Sequence, residues 1–173
     1  MKKLILVRHA KSSWSDPTLE DHDRPLNARG RRAAPVIAEW LSRRGHLPDL
    51  VLCSSSVRTR ETFMRMAEAV PALPEPVVEP ALYHATPAEL LSRCAELPAS
   101  AASVMLIGHQ PGLGGFARRL SAAPVRPRCA RAFEHFPTAA SAVLTLELDR
   151  WREIAFGSAR FVDFARPREL MEQ

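Results

Sequence analysis

The chain has 173 residues, 46% of them hydrophobic, enough for one well-packed domain and short for two, so a single domain over residues 1–173 is expected. No apolar run approaches the ~20 residues that span a bilayer, which argues against a signal peptide or a membrane helix and makes a cytoplasmic protein without membrane partners the default expectation. The formal net charge of +5 comes mainly from arginine and favours anionic partners.

In chain order, Leu4, Ile5, Leu6 and Val7 form a short apolar run that reads as a strand buried on both faces. At its end stand Arg8, His9, Lys11, Ser12 and Ser13. Two cations, an imidazole and two hydroxyls at a strand end suit a phosphate or a carboxylate. Residues 14–26 have neither helical nor strand period and read as a loop over that strand end. Asn27 is a candidate cap for a helix carrying Val36, Ile37, Trp40 and Leu41 and stopped by Gly45. Pro35 lies inside it, so a kink or a later start is expected.

Asp49 to Cys53 reads as a second buried strand, followed by Ser54-Ser55-Ser56 and a helix through about Val70 that opens with Arg58. A short strand near Val77 to Glu79 precedes a helix opened by Pro87. Val104 to Ile107 is a further strand, ending in Gly108-His109 before a helix through Leu120. Residues 121–136 read as an arginine-rich loop, residues 142–148 and 154–162 as two late strands, and the tail after Ala165 as peripheral. Cys53, Cys94 and Cys129 are odd in number and lack metal-type spacing, so neither disulfides nor a zinc site is expected.

Alternating strands and helices predict a three-layer α/β/α fold with a mainly parallel central sheet. In such a sheet, Arg8-His9, Ser55 to Arg58 and Gly108-His109 fall on one edge, so residues about 50 apart in sequence can meet. A phosphoryl group in transfer spreads negative charge over three oxygens, and a protein contributes mainly positioning and cationic stabilisation. Arg8 and Arg58 suit a bidentate clamp, a neutral His9 suits a nucleophile, and His109 suits a donor to a phosphoryl oxygen. Ser12 and Ser13 can add neutral donors. This chemistry requires neither metal nor cofactor, and no carboxylate cluster of the kind magnesium prefers is evident.

Arg8-His9-Ala10 resembles the Arg-His-Gly signature of the histidine phosphatase superfamily, which includes phosphoglycerate mutases. Its continuation Lys11-Ser12 is similar to the small bacterial phosphohistidine phosphatase branch, SixA-like. The segment from Ser54 to Thr62 resembles the superfamily's serine and arginine segment with its trailing threonine, and Gly108-His109 its second histidine. The resemblance spans roughly residues 3–165 and implies a phosphoglycerate mutase-like fold and a metal-independent phosphohydrolase with a phosphohistidine intermediate. Many members carry an acid after the third strand; Tyr83 stands there in this chain, leaving Glu79 as a displaced candidate. A phosphohistidine ring can be protonated beforehand, whereas an alkoxide needs an acid, so the missing acid favours a phosphohistidine protein over a small phosphate ester. The ester remains the leading alternative.

Arg24, in a tetrapeptide that matches a recurrent feature of the phosphohistidine branch, either lines the pocket or forms a structural ion pair. Trp40 reads as core and Trp14 as a pocket wall or a solvated ring. His22, His46, His84 and His135 read as solvated or structural, with His84 nearest the site. Arg118, Arg119, Arg126, Arg128 and Arg131 form a basic stretch that is either a solvated face or a dock for an acidic surface. A non-catalytic phosphate-binding module is the second class of reading and a nucleic-acid binder the third, the latter unsupported by aromatic interleaving or a known motif.

Overall fold

A computed structural model describes residues 1–172. In chain order the regular elements begin with β1 (Lys2–Arg8), α1 (Ala28–Arg43), β2 (Leu50–Ser54), α2 (Val57–Ala69), β3 (Val77–Glu79) and α3 (Pro87–Ala95). They continue with β4 (Ser103–Gly108), α4 (Gly112–Leu120), α5 (Pro127–Ala130), β5 (Ser141–Leu146), β6 (Arg160–Ala165) and α6 (Pro167–Met171). The six strands form one sheet in the order β3-β2-β4-β1-β5-β6. The first four run parallel, whereas β5 pairs antiparallel with both β1 and β6.

Apolar side chains divide between the two faces because successive strand residues point opposite ways. Leu4 and Leu6 join Leu52, Leu106 and Leu144 under α3 and α4, while Ile5 and Val7 join Val51, Met105 and Val143 under α1 and α2. Both faces are thereby covered, which is why β1, β2 and β4 are continuous apolar runs.

The register positions the site. Arg8 pairs with Gly108 and Cys53 with Ile107, so β1, β2 and β4 end at one level. Each then turns at once into polar residues. Two glycines keep this edge closely packed: a Cβ on Gly30 would lie 2.2 Å from the Lys11 carbonyl oxygen, and one on Gly112 would lie 2.1 Å from that of Ala85. The starts of α1 and α4 therefore sit directly against loop backbone beside the proposed pocket.

Three expectations are revised. Helix α1 begins at Ala28, with the Asn27 side chain accepting from the Gly30 amide at 2.8 Å, and continues through Pro35 to Arg43. The missing amide is absorbed within a helix whose buried stripe of Ala34, Ile37, Ala38 and Leu41 is held against the sheet. The last strand is Arg160–Ala165 and not 154–162, because Trp151–Glu153 forms a turn and Gly157 takes a left-handed φ of 76°. A register shift between Val143 and Leu144 accompanies the change. The tail forms α6 and packs against α1.

The basic stretch includes α5 and is partly stitched to the body. Arg128 pairs with the buried Asp163 at 2.6 Å, and Arg131 pairs with Glu169 at the same distance. Arg119 lies 3.9 Å from the ring centre of Phe156. No helix among the described residues is long and apolar enough to cross a membrane.

Candidate active site

Arg8 leaves the end of β1 half-buried, its Nη1 donating to the Phe136 carbonyl at 3.0 Å. His9 follows and is 8% exposed. Its Nδ1 lies 2.7 Å from the Ala10 carbonyl oxygen, which can only accept. The proton therefore sits on Nδ1 and the lone pair on Nε2. The Ala10 amide donates to the Thr62 hydroxyl at 2.9 Å, which itself donates to the Arg58 carbonyl at 2.6 Å, so α2 fixes the turn that carries His9.

From the other two strand ends come Arg58, 4% exposed, and His109, 5% exposed. The rings of His9 and His109 are 5.4 Å apart, and Arg58 Nη2 is 3.5 Å from His109 Nδ1. Nε2 of His109 lies 2.8 Å from the hydroxyl of the fully buried Ser54. That hydroxyl can donate or accept, so His109 can present Nδ1 either as an acceptor or, with the tautomer reversed, as a donor to an anion.

Burial holds both imidazoles neutral near pH 7. The His9 pKa is lowered to about 4, first by desolvation and then by Arg58, Arg8 and Arg24, against the opposing Ala10 hydrogen bond. For His109 it is lowered to about 3 by desolvation, His9 and Arg58. Acidification therefore removes the His9 lone pair only near pH 4, and an NMR titration of the ligand-free protein is expected to show His9 titrating there. A midpoint near the ordinary ~6.5 contradicts this electrostatic account. Between these values the unfolded chain takes up protons that the folded one refuses, so these two groups make stability rise with pH across that window.

Asp21 sits in a single 3-10 turn over the strand ends, unforeseen in the sequence. It accepts from Arg58 Nη1 through its carbonyl at 2.6 Å and from Arg58 Nη2 through its carboxylate at 3.0 Å. Arg24 pairs with the same carboxylate at 2.8 Å, and the Tyr83 hydroxyl donates to it. Burial opposes ionisation, but the hydrogen bonds from Tyr83 and Arg58 outweigh it and hold the acid below the usual carboxylate range. Asp21 is thus an ionised anchor for Arg58 and a poor proton donor.

A cavity of about 340 Å3 opens among these groups, lined by Arg8, His9, Ser12, Arg24, Arg58 and His109 together with Lys11, Trp14, His84, Gln110 and Thr138. Arg24 holds the Ser12 hydroxyl at 2.5 Å and lies 3.2 Å from the Trp14 ring centre, so this arginine is both a pocket wall and an ion-pair member. His84 takes a left-handed φ of 60° and stacks on Tyr83 at 3.9 Å, at the rim of the cavity.

Two candidates are not brought in. Ser13 hydrogen-bonds Ser15 at 2.8 Å, outside the cavity lining. Glu79 ends the short strand β3 and is claimed by Arg93 of α3, whose Nη2 is 2.5 Å from it. The acid assignment for Glu79 is corrected accordingly: its carboxylate is paired with Arg93 of α3, whereas the carboxylate that pairs with the pocket residues Arg24 and Arg58 is that of Asp21. Asp21 carries no distinguishing signal, since Glu20, Asp21 and Asp23 crowd one aperiodic segment.

The sheet order, with a histidine and arginine pocket at the carboxyl edge of its parallel strands, defines a phosphoglycerate mutase-like α/β protein. A sequence model described as histidine phosphatase superfamily (branch 1) matches residues 4–84. A solved structure from Nakamurella multipartitia, provisionally named phosphohistidine phosphatase SixA, superposes with a TM-score of 0.81 at 31% identity, covering 96% of each chain. A second from Agrobacterium tumefaciens, under the same provisional name, gives 0.79 at 30% identity over 96% of this chain and 98% of that one. An uncharacterized chloroplastic protein of Arabidopsis thaliana is 36% identical over 136 residues, 72% of this chain and 62% of its own length. This chain belongs to the histidine phosphatase superfamily.

Proposed function

We propose that this chain is a phosphatase working through a phosphohistidine intermediate, and that it removes phosphate from phosphohistidine in a protein. The observation that carries the reading is the tautomer of His9. With Nδ1–H tied to the Ala10 carbonyl, the Nε2 lone pair is free for phosphorus, in a cavity walled by Arg8, Arg58 and His109. In the first step a P–Nε2 bond forms as the P–N bond of the substrate breaks, and the departing imidazole carries the proton it already held. In the second, water attacks phosphorus, the P–Nε2 bond breaks, and inorganic phosphate leaves with His9 neutral again.

Arg8 and Arg58 offset the charge that gathers on the phosphoryl oxygens, and His109 donates from Nδ1 when the Ser54 hydroxyl donates to its Nε2. The pocket's own cations supply the positive charge, and among the described residues no cluster of His, Cys, Asp and Glu is arranged to hold a metal. The substrate choice rests on the acids. Asp21 stays ionised, Glu79 is held by Arg93, and burial with the neighbouring Asp21 raises the Tyr83 phenol above its ordinary pKa. None of the three is a ready donor to an alkoxide, while a phosphohistidine ring needs none. The provisional name of the two solved relatives points the same way.

Phosphate release from a panel with a phosphohistidine protein, sugar phosphates and nucleotides is the test. Rapid turnover of the first is expected, with Tyr83→Phe and Glu79→Gln retaining most of the rate. Efficient sugar phosphate hydrolysis overturns the substrate assignment.

A further inference from the structure

A second, larger cavity lies beside the proposed catalytic pocket. It measures about 520 Å3 against about 340 Å3, and Arg8, Lys11 and Thr138 line both, so the two adjoin. Its walls bring Arg29 from the first turn of α1 together with His135, Arg166 and Arg168. Glu169 is the one carboxylate among its described lining residues, and both of its oxygens are taken by Arg131 at 2.6 and 2.7 Å.

The cations are less committed. Among the described residues no carboxylate pairs with Lys11, Arg29 or Arg166. Arg168 has only an exposed partner, Glu172 at 3.1 Å, a pair that contributes little. A groove of this sign next to an anion pocket raises the local concentration of anionic partners.

We infer that this groove seats an acidic stretch of the phosphohistidine-bearing protein, with the phosphoryl group in the pocket and flanking carboxylates along Lys11, Arg29 and Arg166. The inference rests on the phosphatase reading above and adds what the substrate must present. Three arrangements favour a chain over a compact anion. The positive side chains come from three separated elements, the end of β1, the start of α1 and the approach to α6. Between them stand Ala33, Pro137, Pro167 and Met171, apolar surface suited to side-chain and backbone contact. A free phosphohistidine held in the pocket leaves the groove empty, whereas a protein continues past its phosphorylated side chain.

The test uses Arg29→Glu and Arg168→Glu. Both residues are exposed and outside the catalytic pocket, and a glutamate in the first turn of α1 suits the helix dipole. Kinetics are measured on free phosphohistidine, on an acidic phosphohistidine protein, and on the same protein with its flanking carboxylates changed to amides.

Arg29→Glu is expected to raise KM for the acidic protein about tenfold, with kcat steady and free phosphohistidine unaffected. Added salt and the amide substrate are both expected to shrink the effect. An unmoved KM for the acidic protein overturns the inference, as does an equal loss on free phosphohistidine. So does inorganic tripolyphosphate competing with free phosphohistidine in a way that Arg29→Glu relieves while protein KM stays unchanged, which assigns the groove to a small polyanion. Absence of wild-type turnover on every substrate instead sinks the phosphatase reading, and direct titration of the acidic phosphoprotein into wild type and Arg29→Glu then still reads the groove.

Discussion

Replacing His9 with alanine is expected to abolish the covalent phosphoenzyme and to lower phosphate release at least about a thousandfold. The wild-type protein, mixed briefly with a labelled phosphohistidine protein, should carry label that is labile in acid and stable in base, as an N-phosphoryl bond is. The variant should carry none. The reason is specific to one atom: the Ala10 carbonyl holds the proton on Nδ1, so Nε2 alone can form the bond. Arg8, Arg58 and His109 remain in the variant and still bind an anion, so a residual rate and near-normal product inhibition are expected. Loss of fold is not an adequate explanation of such a result, because the neutral imidazole at 8% exposure makes no ion pair that alanine would strand. Unchanged circular dichroism checks that point. Label surviving in His9→Ala contradicts the assignment.

Why His9 was legible and Asp21 was not follows from how each is positioned. Strands buried on both faces leave unbroken apolar runs, so β1, β2 and β4 announce their ends, and parallel pairing brings Arg8, Arg58 and His109 to one level. Asp21 has no such anchor. It sits in a segment without period, among like residues, and owes its place to Arg58, 37 positions later in the chain. Glu79 is the converse case: the resemblance, which places an acid after the third strand, offers it as a displaced candidate, but β3 is a three-residue edge strand and α3 presents Arg93 to it. The displaced last strand has the same origin, since the bulge at Val143 and the left-handed Gly157 are backbone events that apolar pattern does not encode.

Arg58→Ala should reduce kcat/KM by about a thousandfold, and Arg58→Lys should recover little of it. The guanidinium meets two partners at once, the Asp21 carbonyl and carboxylate, with its planar fork facing His109 at 3.5 Å. An ammonium has no such fork and reaches only one of them. Charge on the phosphoryl oxygens is concentrated within a site where both histidines are neutral, so the loss falls on kcat as well as KM. Asp21→Asn offers the sharper comparison. Asp21 acts through Arg58 as a positioning residue: the amide keeps the carbonyl contact and weakens the carboxylate one, and about a tenfold loss is expected. If Asp21 works only in this way, the double variant is no slower than Arg58→Ala alone, because the group being positioned is already gone. Multiplying losses would instead mean that Asp21 acts independently through Tyr83, Arg24 or His84, its other partners. The cycle therefore decides whether the turn at Asp21–Asp23 serves the phosphoryl clamp or the rim of the pocket.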